Sequence, residues 1–215
     1  MKHFTLYGSP HSLPTYKVAL MLRLSYQPFS FRYVSYQKKM HKTPEFSALS
    51  RWGQVPVLVD DGGVYLQSAA IVEHLAETLG RFQGPDSVAR QHVREWLYWD
   101  VDVLFPPIFN CYGVQLGQRN LLPITVDPVI ADYHRQRARL ALAILDTHLA
   151  GRDYLCAPEP TIADLFCYAD VAFAEICEFN LNRWTNVALW AKRVTALPGF
   201  QAPFDLLAMA DAELS

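Results

Sequence analysis

GQVPVLVDDGGVYLQSAAIVEHLAE, residues 53–77, predicts a β-hairpin that runs directly into a helix. The run 55–60 is apolar and β-branched, as a strand requires, and the Asp-Gly-Gly of residues 61–63 is typical of a tight turn. Residues 64–66 form the returning strand. The stretch therefore predicts two antiparallel strands, the second of which leads to the start of a helix.

Gln67 and Ser68 open the predicted helix, because apolar residues then recur at helical spacing as far as Leu79. The first N–H groups of a helix have no acceptor inside the helix, and the positive end of the helix dipole adds to them. A carboxylate binds well at such a place. Ser68 by itself would be an ordinary helix cap, so the binding hypothesis depends on the residues around it.

Pro56 is the second signal in this stretch. A proline at the start of a strand cannot donate to the ladder, and it leaves the carbonyl and amide of Val55 free for another partner. A cis peptide bond between these residues would turn both groups toward solvent. The hairpin therefore offers backbone groups to a ligand.

The composition is that of an ordinary globular protein. Of the 215 residues, 51% are hydrophobic, enough for one large domain or two small ones. Lys and Arg total 19 against 21 Asp and Glu, with no basic face or tail, so nucleic acid and membrane are poor candidates as partners. The N-terminus lacks the apolar core of a signal peptide, and we expect a cytoplasmic protein. The four cysteines show no metal-binding spacing, so we expect buried, reduced thiols and no metal.

The pattern changes along the chain from alternating strand and helix signals to helix alone, which predicts two domains, 1–79 and 86–215. The predicted order in the first domain is β-α-β-α-β-β-α, with strands at 2–7, 29–34, 55–60 and 64–66 and helices at 14–24, 44–49 and 68–79. A βαβ half and a ββα half around one sheet match a thioredoxin-like fold. The predicted fold class is therefore α/β followed by all-α.

Local signals mark the helices of the second domain. A long helix begins near Ser87 and must kink or break at Pro106-Pro107, and Asp127-Pro128 begins another. Residues 161–164 form a capping box before a run that is apolar nearly all round. We expect that helix at the centre of the domain, and Asp164 to serve folding rather than catalysis.

Two aromatic residues flank the proline pair, and a third follows one turn later. Phe105 and Phe109, with Tyr112 one turn further on, either line an apolar pocket or belong to the core of the helical domain. Aromatic stripes on bundle helices more often belong to the core. The pocket is the functional alternative, and both stay open.

An ordered set of short motifs carries a family resemblance: HKTPEF at 41–46, GQVP at 53–56 and Gln67-Ser68. In residue identity and spacing, the set resembles the phi and theta-like branches of the cytosolic glutathione transferase family. Each motif alone is weak, but the order is specific, and the resemblance covers essentially the whole chain. The Thr-x-x-Asp box at 161–164 is also typical of the family.

The resemblance implies a binding site for glutathione as co-substrate. Gln54 and the backbone of Val55, with Pro56 cis, would hold the cysteinyl portion. Gln67 and Ser68 would take the carboxylate and amine of the γ-glutamyl end. Glutathione is an extended tripeptide with a carboxylate at each end, so its site needs a helix N-terminus at one end and a cation at the other.

His41 and Lys42 would supply the other end of the site. The resemblance implies that they meet the glycine carboxylate, and the alternative is that they are solvated loop charges. Their position next to the Thr43-Pro44 helix start favours the ligand contact.

Ser12 is the best candidate for stabilising the glutathione thiolate. It lies between the first strand and the first helix, six residues before Val18, as the catalytic serine of the family does. Ser9 is the alternative. Tyr7 is less favoured because it lies at the end of the strand, although other branches use a tyrosine hydroxyl.

The chain also departs from its relatives. Where glutaredoxins carry Cys-x-x-Cys, residues 12–15 are Ser-Leu-Pro-Thr, which excludes dithiol chemistry. No cysteine precedes Cys111, which argues against branches that form a mixed disulfide with glutathione. Gln67 replaces the acid usual in phi-type enzymes, and Ser-Arg-Trp at 50–52 replaces the usual Asn-Pro.

Three functions remain open. The first is conjugation of glutathione to small hydrophobic electrophiles, which the resemblance favours. The second is a glutathione-dependent isomerase or dehalogenase, and the third is a non-catalytic glutathione-binding module of the same fold. The resemblance further implies a homodimer in which the N-terminal domain of one chain meets the helical domain of the other.

Overall fold

The computed structural model describes residues 3–119, 121 and 125–215. The chain forms two compact units: residues 1–81 together with 197–215, and residues 82–196. The sequence pattern predicted a helical domain over residues 86–215. The structure instead places residues 197–215 with the first unit, which is therefore discontinuous in the chain.

The first unit is built on one five-stranded sheet with the order β4-β3-β1-β2-β5. Its strands are β1 (Phe4–Gly8), β2 (Phe29–Tyr33), β3 (Val57–Asp60), β4 (Gly63–Leu66) and β5 (Ala212–Leu214). β1 and β2 are parallel, and the other neighbours are antiparallel. The βαβ and ββα halves confirm the thioredoxin-like prediction. Lys2, where the first strand was predicted to begin, lies outside the described residues.

Three α-helices and one short turn lie between the first four strands or follow the last of them, within residues 1–79: α1 (Leu13–Leu24), a 3-10 turn (Met40–Lys42), α2 (Pro44–Leu49) and α3 (Ser68–Leu79). Local signals set their starts. Thr43 caps α2 with a hydrogen bond from the amide of Phe46 to its hydroxyl, and Pro44 follows at the first helical position. α1 is buried on nearly all sides, because ten of its 12 residues are buried.

The second unit contains five α-helices within the described residues, and a 3-10 turn (Leu181–Arg183) precedes the last of them: α4 (Ser87–Trp99), α5 (Phe105–Gln118), α6 (Pro128–His148), α7 (Ile162–Ile176) and α8 (Thr185–Thr195). A π-helical turn, Asp100–Leu104, joins α4 to α5. The prolines at 106 and 107 therefore lie in the first turn of α5, where a missing N–H is tolerated. The predicted break is thus a change of helical pitch.

α7 is the centre of this unit, as predicted. Every residue from Ile162 to Ala174 is buried. The capping box is formed, because the Thr161 side chain accepts from the backbone at Asp164 and the Asp164 carboxylate accepts the amide of Thr161 at 2.8 Å.

The last segment, 197–215, follows α8 and returns to the first unit. It contains the short helix α9 (Pro203–Leu206) and β5, which pairs with β2 through Phe29↔Leu214 and Phe31↔Ala212. A three-residue strand is too short to show an alternating pattern, so the sequence contained no signal for it.

Candidate active site

Ser12 is the N-cap of α1. Its backbone is extended, with φ −102° and ψ 111°, and its Oγ accepts a 3.2 Å hydrogen bond from the amide of Thr15. The hydroxyl hydrogen has no acceptor among the described residues. The oxygen is held by the helix start while the proton stays available to a ligand.

Ser9 belongs to the internal framework of the same turn. Its side chain is nearly covered, at 6% exposure, and its Oγ accepts the amide of His11 at 3.3 Å. Its carbonyl accepts the amide of Ser12 at 3.0 Å. A Cβ on the neighbouring Gly8 would lie 2.2 Å from Cγ2 of Thr15, so the strand approaches the helix too closely for any larger residue. Ser12, which is half-buried, is the more open of the two hydroxyls.

Gln67 and Ser68 lie at the start of α3, as predicted. Gln67 is the cap residue, with φ 69° and ψ 115°, and it makes no side-chain capping bond. The amide of Ile71 is bonded to the carbonyl of Gln67 at 2.9 Å, so the amides of residues 68–70 have no acceptor within the helix. Nε2 of Gln67 donates to Oε1 of Gln54 across 3.4 Å, which brings two predicted site residues together.

The Val55-Pro56 peptide bond is cis, as the family resemblance implied. The loop before it is fixed by Ser50, whose hydroxyl donates to the carbonyl of Gln54 at 2.9 Å and accepts its amide at 3.1 Å. The Val55 side chain packs in a small core cluster with Val34, Phe46 and Val57. Its backbone is thereby held at a fixed place beside Gln54.

Tyr36 is a neighbour of this site that the sequence did not predict. Burial raises the pKa of Tyr36, and a hydrogen bond with the Val55 backbone opposes that rise. Its ring also lies 4.4 Å from the ring of His41. A hydrogen bond that lowers the pKa of a phenol is donated to its oxygen, so the Val55 amide is already engaged, although the sequence predicted a free amide and carbonyl. Nothing in the local sequence distinguishes Tyr36, because it follows β2 in a loop without a motif.

His41 and Lys42 lie in the 3-10 turn, but they differ in character. Burial, followed by the charge of Lys42, lowers the pKa of His41, so its ring is neutral at pH 7. Its Nδ1 is buried and has no hydrogen-bond partner among the described residues. Lys42 is exposed and forms no ion pair within the described part of the chain. Lys42 is therefore the charged member of this pair.

The three aromatic residues of α5 do not share one environment. Phe105 and Phe109 lie 5.2 Å apart, and Phe109 is 47% exposed. Tyr112 is buried, its ring is edge-on to Phe173 at 5.0 Å, and burial raises its pKa. Tyr112 therefore lies in the core, and Phe105 and Phe109 remain as the accessible pair.

The protein's own thiols are poorly suited to chemistry. All four cysteines are free, and burial raises the pKa of Cys156 and of Cys177 to about 12. Within residues 3–119, 121 and 125–215, no group of three His, Cys, Asp or Glu residues could hold a metal ion. No helix in that part of the chain is long and apolar enough to cross a membrane.

The chain combines a thioredoxin-like unit with an all-helical unit, and the first unit contains a cis-proline and a helix start without a side-chain cap. This combination defines a class of two-domain proteins. Residues 6–81 match the N-terminal domain of glutathione S-transferases, and residues 127–193 match the C-terminal domain. The chain belongs to the glutathione S-transferase family, and it is a glutathione transferase.

Individual relatives agree with this assignment. A glutathione S-transferase from Xanthobacter autotrophicus Py2 is 32% identical, with 94% of this chain and 98% of that chain covered and a TM-score of 0.84. Human glutathione transferase theta-2, whose crystal structure contains glutathione, is 26% identical, with 90% and 82% covered and a TM-score of 0.83. Glutathione S-transferase D7 of Drosophila melanogaster is 23% identical over 96% of this chain and 91% of its own length.

Proposed function

We propose that the chain conjugates the thiolate of glutathione to small hydrophobic electrophiles, with the Ser12 hydroxyl stabilising the thiolate. One observation carries this proposal. The Ser12 oxygen is held by the amide of Thr15 at 3.2 Å, while its proton has no acceptor among the described residues. A hydroxyl of this kind at a helix start can donate to a sulfur anion.

The residues around this hydroxyl fit the tripeptide. The uncapped amides of α3, with Gln67 and Ser68, take the γ-glutamyl end. Gln54 and the backbone beside the cis Val55-Pro56 bond take the cysteinyl portion. Human glutathione transferase theta-2, a relative, has been crystallised with glutathione, which supports this choice of ligand.

The glycine end falls to the 3-10 turn. Lys42 is the exposed cation there, and a carboxylate is the partner that its ammonium group favours. His41 is neutral at pH 7, so it contributes a hydrogen bond rather than a charge. Lys42 therefore contributes a charge to binding of the glycine carboxylate, and His41 does not.

Activating the thiol needs only a modest free energy. A free thiol with a pKa of about 8.5 is roughly 3% ionised at pH 7. Lowering that pKa by about two units ionises most of it and corresponds to about 2.7 kcal/mol. A hydrogen bond to the charged sulfur and the N-terminus of α1 together are of this size.

The reaction then follows from the thiolate. Its sulfur lone pair attacks the electrophilic carbon and forms a carbon–sulfur bond, and the leaving group departs with the electron pair of the broken bond. The proton that left the thiol passes to solvent. The enzyme contributes a higher thiolate fraction and a fixed position for the sulfur.

Phe105 and Phe109 are proposed as contacts of the electrophile, because they form an accessible aromatic pair. Tyr112, the third residue predicted for this pocket, is buried against Phe173 and acts through packing. We further propose a serine-dependent enzyme of the phi and theta-like type, a homodimer and a cytoplasmic location.

The test compares Ser12→Ala with Ser9→Ala in conjugation of chlorodinitrobenzene. We expect Ser12→Ala to lower kcat by about 10- to 100-fold near pH 6.5, which corresponds to the loss of a hydrogen bond to a charged group. Ser9→Ala should have a smaller effect. Unchanged turnover in Ser12→Ala, with loss in Ser9→Ala, would transfer the role to Ser9.

Two outcomes would change the function itself. Tight glutathione binding without turnover on a broad electrophile panel would indicate a non-catalytic binding module. Turnover of only isomerisable or halogenated substrates would indicate an isomerase or dehalogenase. Loss of glutathione binding in the double variant Gln67→Ala, Ser68→Ala tests the γ-glutamyl end separately.

A further inference from the structure

Tyr16 connects the turn of Ser12 to a distant part of the chain. Its amide donates to the carbonyl of Ser12 at 3.0 Å, and its hydroxyl donates to the carbonyl of Gln201 at 2.8 Å. The two residues joined by the second bond are 185 positions apart. Tyr16 is fully buried, so this phenol links the first turn of α1 to the C-terminal segment inside the protein.

The C-terminal segment is held on the first unit by contacts of its own. β5 pairs with β2, and the side chain of Asp211 accepts the amide of Tyr33 at 2.8 Å. Leu206 and Leu207 are buried, with 2% and 3% of their surface exposed. The carbonyl of Gln201 is therefore a fixed anchor and not the end of a loose tail.

A second contact from this segment reaches the other side of Ser12. The ring of Phe204 in α9 lies 5.5 Å from the ring of His11, the residue directly before Ser12. The segment therefore contacts the turn through His11 on one side of Ser12 and through Tyr16 on the other.

We propose that Tyr16 is a positioning residue for the Ser12 hydroxyl, anchored by the carbonyl of Gln201. Within the described residues, the Ser12 oxygen is held only by Thr15, a member of the same turn. The direction of its O–H bond therefore depends on how firmly the turn itself is held. A displacement of about 1 Å at a reacting group costs up to about 100-fold in rate.

This inference rests on the proposed function, in which Ser12 stabilises the glutathione thiolate. Because Tyr16 touches neither the thiol nor the electrophile in this scheme, its effect should appear in the thiol pKa and in kcat. It should not appear in the affinity for glutathione, which the residues of α3 and of the 3-10 turn determine.

The test variant is Tyr16→Phe, which keeps the ring and removes the bond to Gln201. The matched control is Tyr26→Phe, because the hydroxyl of Tyr26 donates to the carbonyl of Pro198 in the same segment at 3.2 Å. Tyr26 lies beyond the far end of α1 from Ser12 and is 61% exposed. Both variants lose a hydrogen bond from a phenol to a backbone carbonyl, but only Tyr16→Phe loses it near the Ser12 hydroxyl.

Two quantities are measured. The thiol pKa of bound glutathione is obtained from the ultraviolet absorbance of the thiolate as a function of pH, and kcat and KM are obtained from steady-state kinetics. We expect Tyr16→Phe to raise the thiol pKa by about half a unit to one unit and to lower kcat at pH 6.5 by about 3- to 10-fold. KM for glutathione should stay within about twofold. Tyr26→Phe should match the wild type.

An unchanged thiol pKa in Tyr16→Phe would overturn the positioning role, and so would equal changes in both variants. If Tyr16→Phe folds poorly, Phe204→Leu weakens the second contact of the segment, the one with His11, and it should raise the thiol pKa as well. Ser12→Ala separates the two proposals: a normal thiol pKa in Ser12→Ala removes the proposed role of Ser12 in thiolate stabilisation. A raised pKa there, with a normal one in Tyr16→Phe, removes only the role of Tyr16.

Discussion

The indole Nε1 of Trp190 lies 2.9 Å from Oδ1 of Asp164, so the acid of the α7 capping box also holds α8. The same Oδ1 accepts the amide of Leu155 at 2.8 Å, and Oδ2 accepts the amide and the hydroxyl of Thr161. Burial raises the pKa of Asp164, and these four donors oppose the rise. One buried carboxylate therefore joins a helix cap, the preceding loop and the next helix.

Asp164→Ala should lower the free energy of unfolding by about 3–5 kcal/mol, because it leaves three buried N–H donors without an acceptor. The matched control is Asp127→Ala, since Asp127 caps α6 at the exposed amide of Val129. That variant should lose only about 1 kcal/mol. Urea denaturation measures both values, and equal losses would contradict the bridging role of Asp164.

Lys42→Ala should raise KM for glutathione by about 3- to 10-fold with kcat nearly unchanged, because an exposed charge contributes binding equally in ground and transition states. Added salt should reduce the difference between variant and wild type, since ions screen exposed charges. Lys38→Ala removes an exposed lysine just before the same 3-10 turn and should have little effect. Equal effects of the two variants would indicate general attraction of an anion rather than a specific contact.

Tyr36→Phe should lower KM for glutathione by about two- to fivefold. Removing its hydroxyl frees the Val55 amide for the cysteinyl portion of the tripeptide. Tyr33→Phe is the control, because the hydroxyl of Tyr33 has no hydrogen-bond partner among the described residues. A higher KM in Tyr36→Phe would mean that the hydroxyl itself contacts glutathione.

The stability of the protein should fall below about pH 6.5, in part because of His11. Burial lowers the pKa of His11 in the folded state from the model-compound value of 6.5. The unfolded chain therefore takes up the proton first, and acidification from 6.5 to the folded pKa favours unfolding. His11→Phe keeps a ring against Phe204 and removes the titration, so its stability should fall less between pH 7 and pH 5. Urea denaturation at both pH values is the measurement, and parallel curves for the two proteins would exclude a contribution from His11.

The parts of the fold that local chemistry determines could be predicted from the sequence. A capping motif marks three of the helix starts: Thr43-Pro44, Asp127-Pro128 and the Thr161 box. Each of these helices begins directly after its cap residue. Such signals span four residues and depend little on the rest of the chain. For the same reason Gln67 and Ser68 were predicted at the start of α3.

Contacts between distant residues could not be predicted in the same way. β5 has three residues, and its pairing with β2 is visible only once both strands are in place. The bond between Tyr16 and the backbone of Gln201 depends on a carbonyl, a group that every residue carries. Tyr36 meets Val55 through a loop whose path the sequence does not encode in a short motif. The positions of the candidate site residues in the fold were thus easier to predict than those of the residues that surround and hold them.

The discontinuity of the first unit has a consequence for how the protein is made. During synthesis, residues 1–81 leave the ribosome long before residues 197–215, and the whole helical unit is made in between. Until then, the outer edge of β2 has no partner strand in the chain, and an unpaired edge can pair with other chains. The glutathione-binding unit therefore acquires its complete sheet only after the helical unit has been synthesised, although its own first strand is translated first.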